Sequence, residues 1–147
     1  MGSRGKAARF GTGNRPCAKF FDENRACPFT RELLTRLGDK WSVLVIVLLG
    51  DGTRRFSELK RTIEGISQRM LTLTLRGLER DGLVARRVLP TVPPRVEYTL
   101  TPLGTTLLDT MLELALWANK NLDKVERARA DFDRREAAEA IQLKRRA

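Results

Sequence analysis

The sequence predicts an α+β fold, mainly helical, and three observations predict it. Two short amphipathic segments flank a turn around Gly65, and two β-prone runs follow at once. After them comes one long stretch with an apolar residue at every third or fourth position. Helices, a hairpin and a long amphipathic helix in that order can share one small core. The chain has 147 residues, of which 41% are hydrophobic, which suits a single domain with a modest core. The expected organisation is a basic arm over residues 1–25 and a globular domain over 26–125. The last element of that domain, 102–125, is expected to be a dimerisation helix, followed by a charged helical extension or tail over 126–147.

Each element has its own local signal. Pro28 is tolerated at a first helical position, Leu33, Leu34 and Leu37 form a short apolar face, and Gly38 ends the segment. Asp39 and Lys40 open the next. The segment from Trp41 to Leu49, apolar without a break from Val43 on, fits a strand by its β-branched residues and a buried helix by its continuity. Ser57 is the expected cap of a short helix running to Ile63, and Ser67 caps another from Gln68 to about Asp81. Leu71, Leu75 and Leu78 make the apolar stripe of that second helix, Met70 and Leu73 widen it, and Gly82 stops it. Residues 83–89 and 96–100 read as strands around a proline-rich connection that carries Arg95. A hairpin directly after a helix-turn-helix is the wing of a winged helix. Thr101 and Pro102 then start the long helix, whose apolar positions include Leu107, Met111, Leu114, Ala118 and Leu122. That face is wider than one small domain would bury, so these five are the expected dimer interface.

Composition narrows the function classes. Lys and Arg total 28 against 18 Asp and Glu, a formal charge of +10, which favours a polyanionic partner. The absence of histidine removes the commonest general base and the commonest metal ligand. Two cysteines alone do not make a structural zinc site, and no phosphate-binding or nucleophile-elbow motif occurs. No enzyme, cofactor or metal is expected. The longest apolar run falls far short of the ~20 residues of a membrane span, and the basic N-terminus has no apolar signal core. A cytoplasmic protein without a membrane partner is the expectation.

Taken in order, Cys27-Pro28, Leu37-Gly-Asp-Lys-Trp41, Arg55-Phe-Ser-Glu-Leu59, Gly65-Ile-Ser-Gln-Arg-Met-Leu71 and Leu78-Glu-Arg-Asp-Gly-Leu83 resemble the HxlR-type regulators. Pro93-Pro-Arg-Val-Glu-Tyr98 and Leu100-Thr-Pro-Leu-Gly104 complete the resemblance, which covers roughly residues 27–120. This winged-helix family is related in architecture to the MarR family. The resemblance implies that the run after Trp41 is a helix. It also implies a cytoplasmic, dimeric transcription regulator of a kind that often answers oxidants, electrophiles or small metabolites. The first and last 25 residues lie outside it, and the long basic N-terminal extension departs from members that begin close to the cysteine.

A recognition helix presents side chains to base edges while neighbouring basic groups hold phosphates. Ser67, Gln68, Arg69 and Thr72 stand at the front of the second helix of the motif, where Arg can pair with guanine and Gln with adenine. Lys60, Arg61 and Arg76 are the expected phosphate contacts, and Arg95 at the wing is expected to reach phosphate or the minor groove. From Arg54 to Arg95 ten basic residues face four acidic ones, so the excess gathers where the motif would meet double-stranded DNA. A homodimer would read a near-palindromic operator. Cys27, at a helix start between Arg25 and Arg31, is the candidate redox switch, with Cys17 as a resolving partner. Two alternatives keep the fold: a small-molecule inducer lined by Trp41, Phe56 and Trp117, or an architectural or protein-contact module with little sequence preference.

Overall fold

The computed structural model describes residues 28–147. Cys17 and Cys27 lie outside them, as does the basic arm over 1–25. By contact clustering the chain divides after Arg36. In the first unit, helix α1 (Pro28–Leu37) begins, with Phe29, Leu33 and Leu34 exposed.

From Leu37 onward the elements are α2 (Lys40–Leu49), β1 (Arg54–Arg55), α3 (Phe56–Thr62), α4 (Gln68–Arg80), β2 (Val84–Leu89), β3 (Arg95–Leu100) and α5 (Pro102–Arg146). The apolar run after Trp41 is a helix, capped by Asp39, whose carboxylate accepts from the Ser42 N–H at 3.4 Å. Its continuity is explained by what surrounds it. Val45, Ile46 and Leu49 are buried, and α2 packs against both α4 and α5.

The start of α3 differs from expectation. The helix begins at Phe56, two residues earlier than a Ser57 cap implies, and its N-cap is Arg55. The Arg55 N–H instead donates to the Glu58 carboxylate at 2.8 Å, so a first-turn acid reaches back to an orphan donor. The turn to α4 is held by Ile63 and Ile66, both buried, and passes through Gly65 at φ +82°, a left-handed conformation that favours glycine. Ser67 caps α4 by accepting from the Met70 N–H at 3.1 Å. At the other end Gly82 takes φ +73°, its N–H donates to Glu79 O at 3.0 Å, and the Leu83 N–H donates to Leu78 O at 2.9 Å. This is a Schellman termination, which satisfies two late carbonyls and turns the chain into β2.

The sheet has three antiparallel strands in the order β1-β3-β2, so the expected hairpin gains a two-residue edge strand before α3. Arg95, expected in the connection, is the first residue of β3 and pairs with Leu89. One core runs through the unit. Leu59, Leu71, Leu75 and Leu78 meet Val45, Ile46 and Leu49, and Leu83, Val84, Tyr98 and Met111 close it. At ~25 cal/mol per Å² of apolar surface, each fully buried Leu or Ile contributes about 2 kcal/mol.

The root of α5 is fixed to the turn that ends α4. The Thr101 N–H donates to Leu83 O at 3.1 Å, and its hydroxyl, at 2.5 Å from Gly82 O, also accepts from the Gly104 N–H at 3.0 Å. A Cβ at Gly104 would collide with the Leu83 carbonyl oxygen, so only glycine permits this approach. Apolar periodicity fades after Val125, yet the helix continues to Arg146.

Candidate nucleic-acid interface

Apart from Met70, the exposed and buried residues of α4 separate around its axis. Leu71, Thr74, Leu75, Gly77 and Leu78 are buried, whereas Gln68, Arg69, Thr72, Leu73, Arg76, Glu79 and Arg80 are exposed. At 100° per residue these exposed residues occupy an arc of about 140°, and Met70, exposed in the first turn, lies outside it on the apolar side. Gln68, Thr72, Arg76 and Glu79 run along one side of it, and Arg69, Leu73 and Arg80 along the other. The core packing that buries the leucines thus aims Gln68, Arg69, Thr72 and Arg76 at solvent. Ser67, at the tip, is occupied by its capping bond, and the Thr72 hydroxyl donates to Gln68 O at 2.8 Å. Both hydroxyls keep lone pairs for a further donor.

The other expected contacts flank this helix. Lys60 and Arg61 are exposed in the last turn of α3, where cations also favour the helix dipole. Arg95 is exposed at the end of the β2–β3 hairpin, beside the loop of residues 90–94. Among the described residues none of Lys60, Arg61, Arg69, Arg76 or Arg95 is held in an ion pair. Free guanidinium and ammonium groups around an exposed helix are what a phosphate backbone requires.

Three residues stand out that the sequence reading did not select. Leu73, placed there in the apolar stripe, is 53% exposed among Arg69, Arg76 and Arg80. Arg86 and Arg87 lie next to each other on β2 and are both exposed. They point to opposite faces of the sheet: Arg86 is opposite Tyr98, and Arg87 is opposite Glu97. The sequence signal for Arg86 was its place in a β-prone run, but its neighbours depend on cross-strand register.

The expected interface residues of α5 divide by burial. Met111 is buried in the chain's own core and Leu107 is half-buried against it, so the core already uses them. Leu114, Ala118 and Leu122 are exposed, and so are Leu103, Leu112, Leu116 and Trp117. Trp41 and Phe56 pack on the core, and Lys40 Nζ stands 4.3 Å from the centroid of the Trp41 ring. No helix among the described residues is long and apolar enough to cross a membrane.

The family model of the HxlR-like helix-turn-helix matches residues 36–126. The chain is 46% identical over 99 residues to the uncharacterised HTH-type transcriptional regulator YtfH of Escherichia coli, covering 67% of this chain and 78% of that one. Among solved structures, the redox regulator HypR in its reduced form superposes with a TM-score of 0.60 at 43% identity, over 66% of this chain and 96% of that one. The diamide-treated form of YodB from B. subtilis superposes with a TM-score of 0.55 at 42% identity, over 64% and 93%.

Proposed function

The chain belongs to the HxlR-like helix-turn-helix family of transcription regulators, which bind DNA, and on that premise we propose that it acts as a homodimer on a near-palindromic operator. The observation that carries this reading is the exposed arc of α4, bordered by uncommitted cations of α3 and the hairpin. In the complex α4 lies in the major groove, with Gln68 and Arg69 at base edges and Thr72 beside them. Each well-placed bidentate pair is worth ~1–3 kcal/mol of discrimination. Lys60, Arg61, Arg76 and Arg95 hold phosphates and add affinity without sequence preference. Two copies, joined through Leu114, Ala118 and Leu122 of α5, set the two reading helices about one turn of DNA apart or a small multiple of it. On this reading the protein acts on chromosomal DNA in the cytoplasm, and binding and release of DNA require no catalytic step.

Control by a thiol belongs to the same reading. HypR is a redox regulator, and YodB is a transcriptional regulator whose structure is known after diamide treatment. The corresponding chemistry here falls on Cys27, the residue before α1, with Cys17 ten residues earlier. A helix N-terminus favours a thiolate, and a thiolate is the form that oxidants attack.

The deciding experiment measures binding to DNA upstream of the protein's own and neighbouring genes, in excess nonspecific competitor, with and without oxidant. Discrete sites released on oxidation, and kept by Cys27→Ser, are the expected result. Specific sites indifferent to oxidant would keep the regulator and move sensing to a small molecule. The absence of any specific site would leave the architectural or protein-contact module.

A further inference from the structure

Between α4 and the sheet lies a recess of about 460 Å³, lined by Thr72, Arg76, Glu79, Arg86 and Tyr98. Strand register explains how it forms. Arg54, Tyr98 and Arg86 stand in one row across β1, β3 and β2, and hence on one face of the sheet. Tyr98 is 8% exposed and belongs to the core, so this is the face turned toward the helices. Arg86, on the edge strand of the row, is left exposed beside α4, where Thr72 and Arg76 are one turn apart. Its sequence neighbour Arg87 faces the other way and has Glu97 directly opposite.

Two guanidiniums from two different elements converge on this recess, and neither is held in an ion pair among the described residues. The phenol of Tyr98 adds a further donor to the lining, while the Thr72 hydroxyl beside it already donates to Gln68 O. Glu79 is the opposing charge, so the recess keeps a net excess of one positive charge. Such a lining suits a tetrahedral oxyanion, which guanidinium pairs bind with charge-assisted hydrogen bonds. The recess also opens on the side of α4 that carries Gln68 and Thr72. A helix seated in the groove by those residues brings the recess against the flanking strand.

We propose that Arg76 and Arg86 together clamp one backbone phosphate of the bound DNA, which makes Arg86 a DNA-binding residue additional to α4 and the hairpin end. The inference rests on the DNA-binding reading above and adds to it a contact made by the inner face of the sheet. The contact fixes how deeply α4 sits in the groove and carries no base preference of its own.

The test is the salt dependence of DNA binding for the full chain and four variants, Arg86→Gln, Arg87→Gln, Glu79→Gln and Gln68→Ala. Loss of one phosphate contact lowers the slope of log affinity against log salt by about 0.9. Arg86→Gln should show that drop and weaken operator and nonspecific DNA by the same factor, with unchanged circular dichroism. Arg87→Gln, on the opposite face, should keep the wild-type slope, and Glu79→Gln should bind more tightly because it removes a carboxylate from beside the phosphate. An unchanged slope in Arg86→Gln, with operator preference lost in Gln68→Ala, would overturn the clamp and leave the regulator intact. Inorganic phosphate bound to DNA-free protein in an Arg86-dependent way, with the DNA slope unchanged, would assign the recess to a free anion and also overturn it. If Gln68→Ala changes nothing and no operator is found, the DNA-binding reading falls first and the clamp with it.

Discussion

Glu58 shows how much one side chain can settle locally. Its carboxylate accepts from the Arg55 N–H, and that bond lowers its pKa below the ordinary glutamate value, with Arg55, Arg54 and Arg61 adding attraction. A carboxylate depressed by folding stabilises the fold above its unfolded pKa, and the contribution is lost as pH falls through the lowered one. Glu58→Gln keeps the shape and removes the charge. Its Tm should lie below that of the wild type at neutral pH, and the two should converge as acid protonates the Glu58 carboxylate. A gap that stays constant through the carboxylate titration range would exclude the assignment. The same residue marks a limit of reading the sequence. Ser57 is the better cap by type, and what displaced it was a donor on Arg55, a residue whose side chain gives no cap signal. Ser67, Thr101 and Gly82 were legible because their capping bonds reach only three to five residues along the chain, although Thr101 also bonds to the distant turn at Gly82 and Leu83. Arg86 was not, because its recess is assembled from residues on α4 and two strands.

Among elements, the tightest junction is that of α5 with the end of α4. Replacing Gly104 with alanine drives a methyl into the Leu83 carbonyl, and backbone cannot swing aside as a flexible side chain would. Gly104→Ala should destabilise the domain by about 2–3 kcal/mol in urea unfolding. A variant within 0.5 kcal/mol of wild type, roughly the scatter of harmless surface changes, would mean that the junction relaxes freely. Most elements were visible in the sequence, since α4 and α5 have caps and long apolar periods. The ambiguous run from Trp41 to Leu49 carried no period, because Val45, Ile46 and Leu49 are buried against the core while the outer side is apolar too, with Leu44 exposed. β1 was missed for the opposite reason: two arginines make no hydrophobic pattern, and pairing with Tyr98 and Glu97 defines the strand. The far part of α5 lost its apolar stripe after Val125 yet stayed helical, because alanine and charged residues sustain a helix without packing.

For the molecule as a whole, the apolar stripe of α5 divides between the chain's own core and the dimer contact proposed above. Met111 and Leu107 turn inward, while Leu114 and Leu122 are half exposed and Ala118 is exposed between them. A Leu114→Lys, Leu122→Lys double variant should sediment as a monomer, keep its helicity, and lose about 100-fold or more in operator affinity. A variant that remains dimeric would move the interface elsewhere on the chain.

Any tilt of α5 against the rest of the domain would turn about the junction at Thr101 and Gly104, as a lever turns about its pivot. The 45 residues of α5 extend about 67 Å at 1.5 Å per residue, and the short arm of the lever is the turn that ends α4. A tilt of about 5° at the pivot sweeps the far end through about 6 Å. Run in reverse, the gearing is steep. A push applied at the distal end arrives at the reading helix as a small rotation, whereas the same displacement applied near the pivot turns it several times further. If a small molecule, the alternative to the thiol, released the DNA, it would gain most by acting close to the root of α5.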